Sequence, residues 1–461
     1  MKRSLILVFA ASLAASALAQ GSPETVSKII AEGKGANKTR YTLERITGEF
    51  GARLTSSTHL ADAQKWAMEQ FKSFGCTNVH LEKWGEWPVG FDRAKTGHVG
   101  RMTAPFSRDF EFTTASWTPG TNGLKKGPAV MEPKTMADLD KIKGKLKGAW
   151  LIKLATPDAK PEDRAKILEA AHKAGILGEV TGSRSELVLT GGRYNIEWGK
   201  LPTAVQITIR KSDFDAVTAE MPKGKVELEF DLKQTMRKGP VPNYNVVAEI
   251  KGTEKPDEVV IVSGHYDSWD GPMSQGALDN GTGSSVTLEA ARLLNLVGAK
   301  PKRTIRFILW SGEEQGLFGS RAYVKDHAAE MDKISTCLVD DGGTNYWGGF
   351  VGLETQRSFF QSSIDALNAA FPDLPMKFNA VAKMPRGGGS DHASFNAVGV
   401  PGFFTMETGV SDYNYVHHTQ HDRIEAAINA YLVQSSTAAA VTAYNLACAD
   451  TMLPREPKTG N

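Results

Sequence analysis

The stretch Val259-Val-Ile-Val-Ser-Gly-His-Tyr-Asp267 joins a continuous apolar run to a histidine and an aspartate. An uninterrupted apolar run of this length predicts a central strand that helices cover on both faces. Because His265 and Asp267 follow the run directly, an imidazole and a carboxylate are expected at the carboxyl end of that strand. Open α/β sheets bind their ligands at this edge.

Similar runs later in the chain extend the pattern. Further apolar runs occupy residues 304–311, 336–340 and 402–406, and helical spacing is seen over 284–296, 358–371 and 424–448. The alternation predicts an α/β domain with a central sheet between two helical layers. Glu313 and Glu314 follow the run at 304–311, and Asp341 follows the run at 336–340. Three separate motifs are thus expected at one edge of the sheet.

The side chains at these strand ends and in tight loops have the chemistry of a metal site. The candidate ligands are His265, Asp279, Glu314, Asp341 and His418, with Glu313 beside Glu314. Imidazole and carboxylate ligands suit zinc, and a carboxylate shared between two ions suits a two-metal site that activates water. The set therefore predicts a metallohydrolase.

Each motif has an expected role. Asp279 lies in a glycine-rich loop before a helix, where its carboxylate could bridge two ions. Of the adjacent pair Glu313-Glu314, one carboxylate would hold metal and the other would accept a proton from the metal-activated water. Asp267 could orient the ring of His265.

Spacing alone leaves some choices open. Either member of Asp340-Asp341 could be the ligand, and the segment His417-His-Thr-Gln-His-Asp422 offers three imidazoles. The flexible segment Gly387-Gly-Gly-Ser-Asp-His392 contributes Asp391 and His392, which could support the ligands or face the substrate.

The first residues have the pattern of a secretory signal. Lys2 and Arg3 precede an apolar run, and Ala17-Leu-Ala19 offers small residues for cleavage, so residues 1–19 are expected to be a signal peptide and the protein to be secreted or periplasmic. Removing those two cations from the 54 basic residues leaves 52, which equals the 52 acidic ones. Because no basic run stands out, we expect no nucleic-acid partner, and no other segment is apolar enough for a membrane span.

The rest of the chain divides by pattern. Residues 20–97 are predicted to form helices and a first strand. Residues 98–239 change to short alternating strands and carry no obvious catalytic groups, and Lys238-Gly-Pro-Val-Pro242 is predicted to be a linker. Residues 240–455 would then hold the α/β domain with the metal site.

Several of these motifs resemble those of the co-catalytic zinc exopeptidases, a family that includes secreted bacterial aminopeptidases. The segments are Ser263-Gly-His-Tyr-Asp-Ser-Trp-Asp270, 276–283, 306–316, 390–392 and 418–422, and the first resembles most closely the carboxypeptidase Q-like members. The resemblance implies a three-layer α/β/α domain with a mixed central sheet. It also implies that 98–239 is an inserted, β-rich protease-associated domain, and carboxypeptidase Q-like proteins suggest a homodimer.

The resemblance implies a role for each site residue. Asp279 would bridge two Zn²⁺ ions. His265 and Asp341 would complete one site, Glu314 and His418 would complete the other, and Glu313 would be the general base. The family patterns favour Asp341 over Asp340 and His418 over His417. Exopeptidase action also needs a group that recognises a chain terminus, and we expect Arg386 to be the cation that meets a substrate carboxylate.

Two other functions fit the same scaffold. A glutaminyl cyclase-like acyltransferase shares the fold but uses one zinc ion, and a non-catalytic binding protein would have lost ligands. Because all six key positions are present, the sequence favours a secreted exopeptidase that hydrolyses N-terminal residues of peptides or dipeptides.

Overall fold

The structure, a computed structural model, describes residues 21–154, 160–343 and 345–456. The predicted signal peptide lies outside these residues. The helices are α1 Pro23–Gly35, α2 Thr39–Arg45, α3 Thr58–Phe74, α4 Met136–Ile142, α5 Pro161–Lys173, α6 Lys211–Glu220, α7 Thr282–Leu296, α8 Phe318–Asp326, α9 Arg357–Ala370, α10 His392–Ala397, α11 Tyr413–Val416 and α12 Asn429–Cys448.

The strands fall into two large sheets and two short pairs. They are β1 Thr77–Arg93, β2 Val99–Ala104, β3 Arg108–Asp109, β4 Phe112–Thr113, β5 Lys125–Met131, β6 Trp150–Lys153, β7 Gly178–Gly182, β8 Gln206–Ile209, β9 Glu227–Asp231, β10 Gln234–Ile250, β11 Lys255–His265, β12 Arg303–Trp310, β13 Ile334–Val339, β14 Tyr346–Trp347, β15 Gly349–Leu353, β16 Lys377–Val381, β17 Gly402–Phe404 and β18 Glu407–Thr408.

The central sheet has six strands in the order β1-β10-β12-β11-β13-β17. Strands β12, β11, β13 and β17 run parallel, whereas β10 is antiparallel to both β12 and β1. The sheet is therefore mixed, as the family resemblance implied. The parallel strands share one carboxyl edge, so groups that follow β11, β12 and β13 lie close together.

Both faces of this sheet are buried, which explains the continuous apolar runs. Alternate residues of β11 point to opposite sides: Val260 and Val262 pack with α7 and α12, whereas Val259 and Ile261 pack with α8 and α10. Helices thus cover the sheet on both sides, and the predicted three-layer α/β/α architecture is confirmed.

The strands that follow β1 and precede β10 in the chain form a second sheet. Its eight strands have the order β3-β2-β9-β5-β6-β7-β8-β4, and its core includes Trp150, Ile207 and Phe230. This sheet coincides with most of the region predicted as an insert at 98–239. The identification of the insert as a protease-associated domain stays a prediction.

The predicted linker Lys238–Pro242 is wrong. These residues lie within β10 and pair with β1, where Val241 is opposite Trp87 and Lys238 is opposite Val89. Among the residues that the structure describes, this half of β10 pairs with β1 alone, because the pairing of β10 with β12 begins at Val246. A proline is tolerated on such an edge, since its missing N–H is not needed there.

No helix within the described ranges has the length and apolar character of a membrane span. The thiols of Cys76, Cys337 and Cys448 are free.

Candidate active site

The strands of the central sheet position four of the six candidate residues. His265 is the last residue of β11, Glu313 and Glu314 follow the end of β12, and Asp341 follows the end of β13. Gly312 has φ +73°, a left-handed conformation that lets the chain turn sharply before the two glutamates. The turn brings both glutamates back over the carboxyl edge of the sheet.

A network of loop hydrogen bonds positions Asp279. The side chain of Asn280 donates to the carbonyl of Asp340 at 2.6 Å and accepts from the N–H of Gly283 at 2.9 Å. The carboxylate of Asp422 accepts from the N–H of Leu278 at 2.6 Å and from that of Asp279 at 3.4 Å. The backbone up to Asp279 and the side chain of Asn280 after it are therefore held, and the side chain of Asp279 is directed toward His265 at the end of β11.

His418 lies outside the sheet, in the loop between α11 and α12. Its backbone is left-handed, with φ +54°, which is uncommon for a residue with a side chain. Its side chain is 35% exposed, whereas those of Asp279 and Glu314 are 5% and 1% exposed. His418 therefore marks the open side of the cluster.

The ligand candidates form two groups that share Asp279. The Nε2 atom of His265 lies 2.9 Å from Asp341 Oδ1 and 3.1 Å from Asp279 Oδ1. The Nε2 atom of His418 lies 3.2 Å from the other oxygen of Asp279, Oδ2, and 2.8 Å from Glu314 Oε2. One carboxylate thus presents an oxygen to each imidazole.

The tautomer of His265 follows from its second nitrogen. Nδ1 lies 2.9 Å from the backbone carbonyl of Asp267, so it keeps its proton, and Nε2 is the nitrogen that can bind a metal ion when the ring is neutral. The carbonyl of Asp267, and not its carboxylate, makes this contact, because the nearer carboxylate oxygen is 3.7 Å away. That Asp267 orients the ring of His265 stays a prediction, and this carbonyl contact supports it.

The Asp267 carboxylate instead holds the glutamate loop. It accepts from the N–H groups of Glu313 and Glu314 at 3.3 and 3.4 Å, and from the hydroxyl of Thr55 at 2.8 Å. The carboxylate of Glu314 is held in turn by the N–H of Trp269 at 2.8 Å. Asp267 thus contacts the backbone of the two glutamates as well as the imidazole of His265.

Glu313 lies beside the ligands without pairing closely with either imidazole. Its Oε2 atom is 4.0 Å from His265 Nε2, and its side chain is 8% exposed. Burial raises the pKa of Glu313 well above its ordinary value, and the carboxylates of Asp341, Asp391 and Glu314 add to this rise. Burial also raises the pKa of Glu314 to about 7.

For the two imidazoles, burial and the neighbouring carboxylates shift the pKa in opposite directions. Burial alone would lower the pKa of His265, but the carboxylates of Asp341 and Glu313 raise it well above its ordinary value. Burial likewise opposes the rise for His418, yet Asp279 and Glu314 raise its pKa to about 11. The two imidazoles in turn lower the pKa of Asp279 against the effect of burial. The site therefore concentrates negative charge that attracts cations.

The donor set fits metal ions. It combines two imidazoles with three carboxylates, and Asp279 Oδ2 is buried without a well-aligned hydrogen bond from any described residue. Such an oxygen is costly unless a cation or donor meets it. The grouping of His265, Asp279 and Asp341 has ligand atoms within 4.8 Å of one another, and so does that of Asp279, His417 and His418.

Two choices that spacing left open can be compared in the structure. Asp341 faces His265, whereas the carboxylate of Asp340 accepts from the indole N–H of Trp347 at 2.8 Å. His417 Nε2 is 3.9 Å from Asp279 Oδ2, farther than the 3.2 Å of His418. Both comparisons agree with the residues that the family patterns favoured.

The three candidate substrate contacts lie in different settings. Asp391 is buried next to the cluster, and burial raises its pKa to about 7. His392 is also buried, with its ring against Phe404 at a centroid distance of 5.4 Å. Arg386 is not brought to the cluster: its side chain is 68% exposed and contacts Glu456 at 3.3 Å.

Two polar residues of the amino-terminal segment support the site and were not predicted from the sequence. Arg53 is fully buried and donates to the carbonyl oxygens of Tyr266 and Gly276, both at 2.7 Å. Thr55 donates to Asp267. The signal for either residue would have been a polar side chain in an otherwise apolar setting, but Thr55-Ser-Ser57 and its neighbours are polar.

Comparisons with known proteins agree with this site. The model of Peptidase family M28 matches residues 245–443. The chain is 27% identical to carboxypeptidase Q of Rattus norvegicus over 440 residues, which cover 92% of this chain and 88% of that protein. The crystal structure of a peptidase M28 precursor from Shewanella amazonensis SB2B is 26% identical and has a TM-score of 0.64, with 94% of this chain and 99% of that chain covered.

A zinc aminopeptidase from Bacillus subtilis has the same fold, with 21% identity, a TM-score of 0.50, and 88% of this chain and 93% of that chain covered. The matched region contains all five ligand candidates and Glu313. Together, the match to the model of Peptidase family M28 over residues 245–443, the relatives along nearly the whole chain and the clustered donor set identify this chain as a metallo-exopeptidase.

Proposed function

We propose that the protein is a zinc exopeptidase that uses two ions. The observation that carries this proposal is the position of Asp279, whose two oxygens are each about 3 Å from a different imidazole. His265 and Asp341 would hold one ion and His418 and Glu314 the other, with Asp279 between them. Two dications held a few ångströms apart repel each other, so they need an anion between them, and Asp279 would supply it.

When bound, the two ions would supply Lewis-acid polarisation of the scissile carbonyl and acidify a water molecule. The chain's own residues then handle the protons. Glu313 is buried, adjacent to the ligands and outside both ligand groups, so its carboxylate can accept a proton from the water and deliver it to the leaving amine. Its neighbour Glu314 is less suited to this task because Trp269 and His418 engage both of its oxygens.

The buried surroundings support this division of roles. Asp267 holds the N–H groups of both glutamates, so the base and the ligand keep a constant separation.

The open side at His418 gives a peptide access to the cluster. We propose that the substrates are dipeptides or the N-terminal residues of longer peptides. Arg386 as the group that meets a substrate carboxylate stays a prediction.

Peptide hydrolysis by the purified mature protein tests the proposal. Aminoacyl arylamides, free dipeptides and amidated dipeptides would each be offered with chelator and after zinc is restored. Zinc-dependent cleavage of free dipeptides alone indicates a dipeptidase that recognises both termini, whereas cleavage of arylamides and amidated dipeptides indicates an aminopeptidase. Absence of cleavage by folded protein that contains two zinc ions would contradict the proposal.

Glu313→Gln separates the base from the ligands. We expect kcat to fall by at least about 10²-fold, the usual contribution of a general base, while the zinc content stays at two per chain. Asp279→Asn is the matched variant, for which zinc content should fall as well. Activity of Glu313→Gln close to that of the unaltered enzyme would remove this residue from the mechanism.

We also propose that the protein is exported and forms a homodimer. The basic start, the short apolar run and the small residues before Gln20 support export. Protein recovered from the periplasm or medium should begin at Gln20. The mass of its amino-terminal peptide measures this. Sedimentation equilibrium of the same material measures the number of chains.

A further inference from the structure

The loop that carries His418 is held differently from the other ligand segments. His265 and Asp341 stand at the ends of adjacent strands, and the glutamates follow a third strand. His418 instead lies two residues after the four-residue helix α11, with left-handed backbone and a partly exposed ring. Its position therefore depends on contacts that the loop makes with other segments.

One of these segments belongs to the second sheet. The connection from β7 to β8 reaches back to the ligand loop, where Leu189 and Thr419 form an antiparallel bridge. The N–H of Thr190 donates to the carbonyl of His418 at 2.8 Å, and the N–H of Gln420 donates to the carbonyl of Val188 at 3.2 Å. The residue that would hold zinc is thus bonded through its own peptide group to the inserted region.

A second contact joins the same two regions. His421 Nε2 lies 3.4 Å from the carboxylate of Glu111, which is in the inserted region. On its other side the loop reaches the bridging ligand, because Asp422 accepts from the N–H groups of Leu278 and Asp279. The loop from His418 to Asp422 therefore lies between the second sheet and the proposed metal centre.

We infer that the segment Val188–Thr190 is a positioning element for the metal site formed by His418, Glu314 and Asp279. This inference rests on the proposed two-ion function. When the bridge is formed, it keeps the left-handed His418 backbone in place and the imidazole directed at Asp279. When it opens, the affinity for the ion at His418 falls, while the sheet-anchored pair of His265 and Asp341 retains its ion.

Thr190→Pro tests the inference because it removes the N–H that bonds to His418. We expect the variant to lose one of its two zinc ions to a competing chelator at a concentration about 3- to 10-fold lower than the unaltered protein needs, the range for one net backbone hydrogen bond. The second ion should be retained equally by both proteins. Equal retention of both ions by the variant would overturn the inference.

Two controls isolate the backbone bond. Thr190→Ala keeps the N–H and removes only the side-chain hydroxyl and methyl groups, so its zinc retention should equal that of the unaltered protein. Leu189→Pro places a proline in the same segment, but the groups of this segment that bond to the ligand loop are the N–H of Thr190 and the carbonyl of Val188, and not the N–H of Leu189. If all three variants lose zinc alike, the bond to His418 is not the cause and the inference is wrong.

Hydrogen exchange of the unaltered protein gives a test that needs no folded proline variant. Linkage requires that, if the bridge favours zinc at His418, zinc at His418 favours the bridge. Zinc should therefore slow exchange in a peptide that covers residues 186–191, and His418→Ala should abolish the slowing. Unchanged exchange on loading to two ions would overturn the inference, whereas failure to load two ions would instead contradict the proposed function.

Discussion

At the scale of single residues, one buried cation joins the two loops that carry His265 and Asp279. Within the described part of the chain, the guanidinium of Arg53 donates to four carbonyl oxygens, those of Gly51, Tyr266, Gln275 and Gly276. Burial lowers the pKa of Arg53, while Tyr266 and nearby aspartates oppose the change. Arg53 thus satisfies several buried carbonyl groups in one step and fixes the spacing of the two loops.

His392 should make stability depend on pH. Burial lowers its pKa to about 4, compared with about 6.5 in the unfolded chain. Between these values the unfolded state binds more protons, so this residue makes the free energy of unfolding rise with pH from 4 to 6.5. The difference between the two pKa values corresponds to a change of about 3 kcal/mol in the free energy of unfolding.

Replacement of that residue measures its contribution. His392→Gln should remove most of the rise, as measured by urea unfolding of zinc-free protein at several pH values. His80→Gln is the control, because the side chain of His80 is 42% exposed. If His392→Gln and the unaltered protein keep a constant difference in stability from pH 4 to 6.5, the argument fails.

At the scale of elements, α7 packs very closely on the end of β11 through two facing glycines. A Cβ added to Gly283 would lie 2.2 Å from the carbonyl oxygen of Asp340, and one added to Gly264 would lie 2.9 Å from the backbone of Gly283. The close approach allows the loop before α7 to place Asp279 beside His265. Neither glycine can gain a side chain without backbone movement.

Gly283→Ala should therefore destabilise the protein by about 1–3 kcal/mol, as expected for overpacking, and lower zinc retention because Asp279 moves. Urea unfolding in the presence of chelator measures the first effect. Gly35→Ala is the control: Gly35 ends α1 and has no neighbouring atom within 4 Å of an added Cβ. Equal stability of the two variants would contradict the prediction, because it would mean that the backbone at Gly283 and Asp340 can move at little cost.

How much could be predicted differs between elements. The apolar runs before His265, Glu313 and Asp341 predict their common edge, because parallel strands buried on both faces leave a strong local pattern. The linker at Lys238–Pro242 was predicted wrongly because proline usually interrupts strands, while the pairing of this segment with β1 depends on residues about 150 positions away. The contact of Thr190 with His418 joins residues still farther apart in the sequence and involves only backbone atoms, which leave no pattern of side chains.

At the scale of the whole molecule, the site brings together acidic and imidazole side chains from three regions of the chain. The sheet edge and the loop before α7 supply carboxylates, and the carboxyl-terminal loop supplies His418. Burial raises the pKa of Glu314, Asp341 and Asp391, so removal of cations leaves carboxyl groups that repel one another as they ionise. The folded state should therefore be markedly less stable without metal.

Zinc should raise the free energy of unfolding by about 2.7 kcal/mol per site when its free concentration is 100 times the dissociation constant. The gain should diminish as pH falls, because the raised pKa values of His265 and His418 mean that zinc must displace protons. Asp279→Asn should lose most of the gain. Asp340→Asn should keep it, because Asp340 faces Trp347. Urea unfolding with and without zinc at pH 6 and pH 8 measures all three proteins, and an equal zinc gain in both variants would contradict the assignment of Asp279 as the shared ligand.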